Sequence, residues 1–229
     1  MNDKIDEILS DIYVDGEVDA PNGVYAVKVD GSLVSVDEAD ETCIGVALIV
    51  NDADTPQHIM IEKNGDSNIT SIKAAYEADG ATSTDYFPFY WGPYDTDVSG
   101  ITNWTDGDLA FIRTDYTTWS TNPTYAWNDY NGKANTAAMM NVTDSDRYIV
   151  YANAATYCVK FNETETENQG FSDWYIPALG QLALIRINVT DINAALIKIG
   201  GTTINRYEHH WSSSEGSSKG GWCLPFGNG

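Results

Sequence analysis

The stretch NRYEHHWSSSEGSSKGGWCLPFGNG, from Asn205 to Gly229, mixes two kinds of position. Tryptophans, a serine run, a glutamate and closing glycines form a framework, while the residues between them share neither size nor chemistry. A pair of half-buried strands would instead alternate apolar and polar residues regularly. A fixed framework that carries unrelated side chains indicates a surface whose backbone shape is constant while its exposed side chains vary. We therefore interpret this stretch as a binding face.

The framework is interpreted as scaffold rather than as ligand contact. Its hydroxyls and carboxylate can bond irregular backbone, and each tryptophan can anchor one side of a hairpin. Exposed substitutions away from such features usually change stability by less than about 0.5 kcal/mol, so the neighbouring residues can change without unfolding the domain. The scaffold residues are Trp174, Trp211, Ser213, Glu215, Trp222 and Phe226, together with Ser212, Ser214 and Leu224.

Five phrases of the sequence follow one another over roughly the C-terminal half of the chain. They are NDYNGKANT (Asn128 to Thr136), FSDWYIPALGQL (Phe171 to Leu182), INAALIKIGG (Ile192 to Gly201), HHWSSSE (His209 to Glu215) and GWCLPFGNG (Gly221 to Gly229). Together they resemble the C-type lectin-like domains of Bacteroidetes surface and phage proteins, in particular the variable proteins that retroelements diversify. The resemblance implies a C-type lectin-like fold for this part of the chain. Residue patterns further upstream predict a short N-terminal helix and a small β module before it, so the expected class of the whole chain is α+β.

In this family an error-prone reverse transcriptase rewrites adenines in codons near the 3′ end of the gene, and the altered residues cluster on the ligand-facing side of the fold. The resemblance therefore implies a receptor-binding protein whose partner is a cell-surface protein or a glycan. A family template often has tyrosine before the Trp-Ser-Ser motif, where this chain has His210, and we interpret the departure as a change within the variable set. The positions that the resemblance marks as variable and ligand-binding are Asn205, Tyr207, Glu208, His209, His210, Gly216, Ser218, Lys219, Gly220, Cys223 and Pro225.

Composition limits the classes of partner. A chain of 229 residues that is 42% hydrophobic and 12% aromatic can build a sizeable core, so a globally disordered chain is not expected. Its 34 acidic residues against 12 basic ones give a formal net charge of −22, which opposes binding to phosphate backbones and anionic lipid. We expect neither a nucleic-acid partner nor insertion into a membrane.

Acidic loops raise the alternative of calcium, which prefers oxygen ligands. Asp95, Asp97, Asp106 and Asp108 are the candidates, but none has the spacing of an EF-hand loop. Trp127-Asn128-Asp129 matches a calcium-binding tripeptide of animal C-type lectins, yet it lies far from the C-terminal strands and lacks the companion Glu-Pro-Asn. We expect no metal or cofactor, with calcium as the alternative.

The cysteines and histidines do not suggest an enzyme. Three widely separated cysteines, Cys43, Cys158 and Cys223, predict two buried thiols and one at a variable position rather than a disulfide framework. His209 and His210 are adjacent, so in an extended segment they point to opposite faces and do not serve one metal or substrate. Formylglycine-generating enzymes share the lectin-like fold and use a cysteine pair. An oxidase based on Cys158 and Cys223 is the remaining enzymatic alternative.

The sequence predicts three segments: residues 1–20 as an N-terminal helix or attachment segment, 21–65 as a small β module, and 66–229 as the ligand-binding domain, with a variable region at about 204–228. Apolar residues on one face of the first segment are typical either of a helix docked on its own domain or of an oligomerisation segment, for which a homotrimer is the expected state. The predicted strands are Val24 to Val29, Leu33 to Val36 after an Asp30-Gly31 turn, Ile44 to Val50 and His58 to Glu62.

Three helices are predicted towards the C-terminus. They run from Asp146 to Phe161 with Asp144 and Ser145 as capping residues, from Leu179 to Ile187, and from Asp191 to Ile199 with Thr190 as the cap and Gly200-Gly201 as the end.

A dense aromatic patch is interpreted as core filling, with sugar stacking as the alternative, and comprises Tyr86, Phe87, Phe89, Tyr90, Trp91 and Tyr94.

The location of the protein is predicted from the targeting signals that the sequence does not contain. The first residues show no basic run followed by an apolar stretch, and about 18 apolar residues never run together, so neither an export signal nor a membrane span is expected. A bacterial adhesin has to be exported, whereas a phage tail fibre assembles in the host cytosol. These features favour location in a virion, with the bacterial cell surface as the alternative.

Overall fold

The computed structural model describes residues 20–52, 56–64, 91, 97–102, 126–141, 154–163, 170–217 and 220–226. The chain forms two compact units, Met1–Ser67 with Asn188–Ile204 and Asn68–Ile187 with Asn205–Gly229. Helices and antiparallel strands occur together, which confirms the predicted α+β class.

The described elements follow in this order along the chain. The strands are β1 Gly23–Val27, β2 Leu33–Ser35, β3 Gly45–Val50, β4 Gln57–Glu62, β5 His209–Ser217 and β6 Gly220–Pro225. The α-helices are α1 Gly132–Met140, α2 Ala154–Glu163, α3 Leu179–Ile187 and α4 Val189–Lys198, and single 3-10 turns lie at Val36–Glu38 and Ala126–Asn128.

The first unit is an antiparallel sheet in the order β2-β1-β3-β4. The four predicted strands are confirmed, with ends that differ by one or two residues. The β1–β2 connection turns at Gly31, whose φ of 81° favours glycine, and the Lys28 amide donates to the Ser32 carbonyl oxygen at 3.0 Å. Strand β3 is a continuous apolar run, GVALIV, that is buried on both faces and pairs with β1 on one side and β4 on the other, so it is one of the two inner strands of the sheet.

Helix α4 packs against β1 and β3 of this sheet. It buries Ile192, Ala195 and Leu196, which lie at the i, i+3 and i+4 spacing of one helical face. The predicted glycine end is confirmed, because Gly200 has φ 75° and donates to the Ile197 carbonyl oxygen. The predicted cap was wrong: Thr190 lies inside the helix, and the residue at the N-cap position is Asn188.

The second unit combines α1, α2, α3 and the β5–β6 hairpin. Helix α3 spans the predicted residues, and α2 continues to Glu163, two residues beyond the predicted end. The helix α1 was not predicted. A buried cluster joins the helices to the hairpin and comprises Trp91, Val98, Ile101, Met139, Ala154, Ala155, Cys158 and Ile176, with Trp211 packed against it.

The N-terminal ends of α1 and α3 approach each other closely. A Cβ on Gly180 would lie 2.6 Å from the Asp129 carbonyl oxygen, and one on Gly132 would lie 2.8 Å from the Ala178 nitrogen. The Gly180 amide uses this closeness to donate to Asp129 at 3.0 Å. Glycine is required at both positions because any side chain would separate the two segments.

Several predictions fall outside the described residues. They concern the N-terminal helix, residues 146–153 of the predicted second-unit helix, the acidic residues Asp95, Asp106 and Asp108, and the aromatic patch except Trp91. Trp91 itself is 3% exposed and belongs to the core. Within the described helices, none is both long and apolar enough to cross a bilayer.

Candidate ligand-binding surface

The β5–β6 hairpin carries most of the positions interpreted as variable. Its register pairs His209 with Pro225, His210 with Leu224 and Trp211 with Cys223, before the strands shift relative to each other near Glu215. Since successive strand residues point to opposite faces, His209 and His210 lie on different sides of the hairpin. The shift bends the strand at the serine run.

The serine run fixes the hairpin to helix α3. Ser214 accepts the amide hydrogen of Leu179, the first residue of α3, at 2.9 Å, so a strand residue caps this helix from outside. The Ser213 amide donates to the Pro177 carbonyl oxygen at 2.9 Å. On the same strand, the Ser212 carbonyl oxygen accepts the Trp91 indole hydrogen at 2.7 Å. These three bonds attach the run to segments that are distant in sequence, and the Ser214 hydroxyl adds a fourth bond, to Asp129.

A buried carboxylate connects this run to helix α1. Asp129 is 1% exposed and accepts three hydrogen bonds, from the Ser214 hydroxyl at 2.6 Å, the Asn135 amide group at 2.8 Å and the Asn131 backbone at 3.0 Å. Three donors satisfy a buried charge that would otherwise be costly. Parts of three phrases singled out from the sequence, NDYNGKANT, FSDWYIPALGQL and HHWSSSE, therefore meet in one network.

Glu215 ends the serine run as a second buried carboxylate. It is 0% exposed, and its two oxygens lie 3.1 and 3.2 Å from the Val98 nitrogen, whose hydrogen they accept. Burial raises the pKa of Glu215 to about 7, against the lowering effect of the Val98 hydrogen bond, and the negative charge of Asp97 raises it further. Glu215 thereby ties residues 97–102 to the hairpin.

The contribution of Glu215 to stability is expected to fall as the pH rises. The folded-state pKa of about 7 lies above the ordinary value of 4.5, so the folded protein holds the proton more tightly than the unfolded chain. The contribution is complete below about pH 4.5 and is lost as the pH rises through about 7. A pKa change of this size corresponds to ~3 kcal/mol at most. Urea unfolding at pH 5 and pH 8 measures the loss.

The matched control is Glu215→Gln, which keeps an oxygen acceptor for Val98 but cannot ionise. The net charge of −22 also varies with pH, and it does so almost equally in both proteins. We expect the wild type to lose more stability than the variant between pH 5 and pH 8. Equal losses in the two proteins would contradict the role of this carboxylate.

The remaining scaffold residues lie at or near the core. Phe226 is 5% exposed, and Trp211 packs on the buried cluster of the second unit. Trp174 meets Phe161 and Phe171 edge to face, and the Asn162 side chain bonds both its backbone amide and its carbonyl oxygen. Three buried polar atoms have no hydrogen-bond partner within the described part of the chain: Trp174 Nε1, Trp222 Nε1 and Ser213 Oγ.

A compact turn precedes the hairpin at residues 205–208. The Asn205 side chain accepts the Tyr207 amide hydrogen at 3.0 Å and donates to the Glu208 carboxylate at 2.7 Å. This Asx-type arrangement orders the turn without any contact from the tyrosine ring. Tyr207 is 89% exposed, the most exposed large hydrophobic residue in the described chain.

The structure separates the predicted variable positions into three groups. Asn205, Tyr207, Glu208, His209 and Cys223 are exposed. Half-buried positions are His210, Gly216, Gly220 and Pro225. Ser218 and Lys219 lie outside the described residues. Sequence reasoning did not identify Asp129, Asn135 and Val98 as supports of the hairpin, although the phrase NDYNGKANT contains two of them.

The three cysteines lie in different surroundings. All three cysteines are free, with Cys43 and Cys158 buried and Cys223 exposed, as expected from their spacing. Burial raises the pKa of Cys158 to about 12 and also raises that of Cys223, so both are thiols rather than reactive thiolates near neutral pH. Among the described residues, no group of three or more His, Cys, Asp or Glu side chains is arranged to hold a metal ion.

Comparison with family models, curated proteins and solved structures found no match to this chain.

Proposed function

We propose that this protein is a ligand-binding protein of the C-type lectin-like, retroelement-diversified type, and that it serves host recognition as part of a phage tail fibre. One observation carries the proposal. Within residues 205–226, the serine and carboxylate frame is buried and bonded to distant segments, while Tyr207, Glu208, His209 and Cys223 are exposed beside it. Such a division lets surface residues change without loss of the fold.

The turn at residues 205–208 supports recognition because its backbone is ordered before any ligand arrives. The Asn205 bonds to Tyr207 and Glu208 fix the turn, so less conformational entropy is lost on binding. A tyrosine presents a large amphipathic surface with few rotatable bonds, which is why binding loops of antibodies use it often. We assign Tyr207 as the main contact, with Glu208 and His209 setting electrostatic preference.

The same surface serves a bacterial cell-surface adhesin equally well, so the setting has to be tested separately. A reverse transcriptase gene with a template repeat beside tail genes supports the phage assignment. An export signal encoded upstream of Met1 supports the adhesin. In either setting the proposed partner is a protein or glycan on a cell surface. Assembly into a homotrimer would add avidity to each weak contact.

Loss of the exposed residues is expected to abolish attachment. A triple variant, Tyr207→Ala with Glu208→Ala and His209→Ala, is compared with the wild type by flow cytometry of labelled protein on intact Bacteroidetes cells and on a glycan array. Because a buried aromatic contact contributes about 2 kcal/mol or more to an interface, we expect at least a ~30-fold loss of affinity. The melting temperature is expected to move by less than about 4 °C, since the three side chains are exposed.

Ile197→Ala is the matched control. Ile197 is a large apolar residue that is 67% exposed and belongs to the first unit, so its replacement changes an exposed side chain that is not part of the hairpin or its turn. We expect this control to bind as the wild type does. Full binding by the triple variant, or its unfolding, would contradict the assignment of these residues to the binding surface.

A further inference from the structure

His210 differs from its exposed neighbours in the same segment. Its ring stacks on Phe226 with a centroid distance of 4.4 Å and an interplanar angle of 27°, and its side chain is half-buried. Phe226 is 5% exposed and therefore belongs to the fixed frame. The His210 ring rests on the scaffold instead of projecting freely from it.

The outer edge of the same ring bonds the turn at residues 205–208. His210 Nε2 lies 3.0 Å from the Asn205 carbonyl oxygen. A carbonyl oxygen only accepts hydrogen bonds, so Nε2 must carry the hydrogen and act as donor. One side chain thus connects the frame, through Phe226, to the backbone of Asn205.

Asn205 passes this constraint to the exposed tyrosine. Its carbonyl oxygen is bonded by His210, its side-chain oxygen accepts the Tyr207 amide hydrogen, and its side-chain nitrogen donates to Glu208. Three bonds therefore converge on one residue at the base of the turn. The described contacts form a continuous path from Phe226 to the backbone of Tyr207.

We propose that His210 is a positioning residue that holds the turn at residues 205–208, and with it Tyr207, in one orientation relative to the hairpin. Its role in recognition rests on the proposed function, whereas its effect on the turn does not. The positions interpreted as variable are then not equivalent: His209 meets the ligand directly, and His210 acts through Asn205. Exchange of His210 changes how Tyr207 is presented, without any contact between His210 and the ligand.

Backbone order measured by ¹⁵N relaxation tests this role without a ligand. In the wild type we expect the Tyr207 amide to have an order parameter near that of rigid backbone, about 0.85. His210→Ala removes both the stacking and the donor and is expected to lower it below about 0.6, while Trp211 to Ser214 keep their order and the melting temperature changes little. His210→Gln places an amide nitrogen where Nε2 lies and is expected to recover most of the loss.

His209→Ala is the control, since His209 is adjacent, exposed and on the opposite face of the hairpin, and it is expected to leave the turn ordered. The proposal is overturned if His210→Ala leaves residues 205–208 as ordered as before, if Trp211 to Ser214 loosen to the same extent, or if His210→Gln recovers nothing. Failure of the proposed function has a different signature. Tyr207 would then be dispensable for attachment, while His210→Ala still loosened the turn.

Discussion

Replacing Asp129 with alanine is expected to lower the free energy of unfolding by about 3 kcal/mol or more, because it removes the acceptor of several hydrogen bonds in the buried interior. Its carboxylate accepts hydrogen bonds from Ser214, Asn135 and the Asn131 backbone, and the residue is 1% exposed. The variant leaves the buried Ser214 hydroxyl and Asn135 amide group without their acceptor, and each unsatisfied buried donor costs about 1–3 kcal/mol. Urea unfolding followed by tryptophan fluorescence measures the change.

Asp173→Ala is the matched control, because Asp173 is also an aspartate that bonds a residue of helix α1. Asp173 pairs with Lys133 of α1 at 3.0 Å, but the two side chains are 44% and 68% exposed. Exposed ion pairs contribute about 0–1 kcal/mol, so this variant is expected to unfold at nearly the wild-type urea concentration. If both aspartate variants lost the same stability, Asp129 would not have the central role that its geometry indicates.

A double-mutant cycle with Ser214→Ala tests whether the network joins the hairpin to the helices. Ser214 bonds both Asp129 and the first amide of α3. Because the two residues share a bond, we expect their effects to fall short of additivity by about 0.5–3 kcal/mol. Additive effects would mean that the hairpin and helix α1 are stabilised independently.

Local signals account for what the sequence predicted correctly. The glycines at 200 and 201 correctly marked the end of α4, because such an end depends only on the conformation of neighbouring residues. Helix α1 was missed because it lacks a comparable signal. It has no side-chain cap, and its buried residues include Asn135 and Thr136, whose role is to bond Asp129 and the Ile176 backbone.

The supports of the hairpin could not be derived from sequence, because they join residues 35 to 121 positions apart. Glu215 was assigned to the scaffold, but its backbone partner, the Val98 amide, lies 117 positions away and could not be identified from the sequence. The same limit applies within the variable set. The sequence assigned Tyr207 and His210 the same role as ligand-binding residues. The structure shows that the Tyr207 side chain is exposed, whereas the His210 ring stacks on Phe226.

Gly221→Ala is expected to lower the free energy of unfolding by about 3 kcal/mol, at the upper end of the usual cost of overpacking. A Cβ at this position would overlap Nε1, Cε2 and Cδ1 of the Trp91 indole. That ring cannot move aside easily, since it is 3% exposed and its Nε1 donates to the Ser212 carbonyl oxygen. Thermal and urea unfolding both measure the effect, and a loss of Trp91 burial should red-shift the tryptophan emission.

Gly216→Ala in the same hairpin is the comparison variant, because Gly216 is one of the positions interpreted as variable, whereas Gly221 belongs to the framework. Its Cβ would meet Trp222 Nε1 at 3.3 Å and the Gly220 carbonyl oxygen at 3.4 Å, so a shift of a few tenths of an ångström accommodates it. We expect this variant to cost less than about 1 kcal/mol. Both substitutions add one methyl group, and they do so on the two paired strands of one hairpin. If Gly221→Ala loses much more unfolding free energy than Gly216→Ala, the hairpin is rigid where it faces Trp91 and tolerates substitution at a position interpreted as variable. Equal losses in the two variants would remove that distinction.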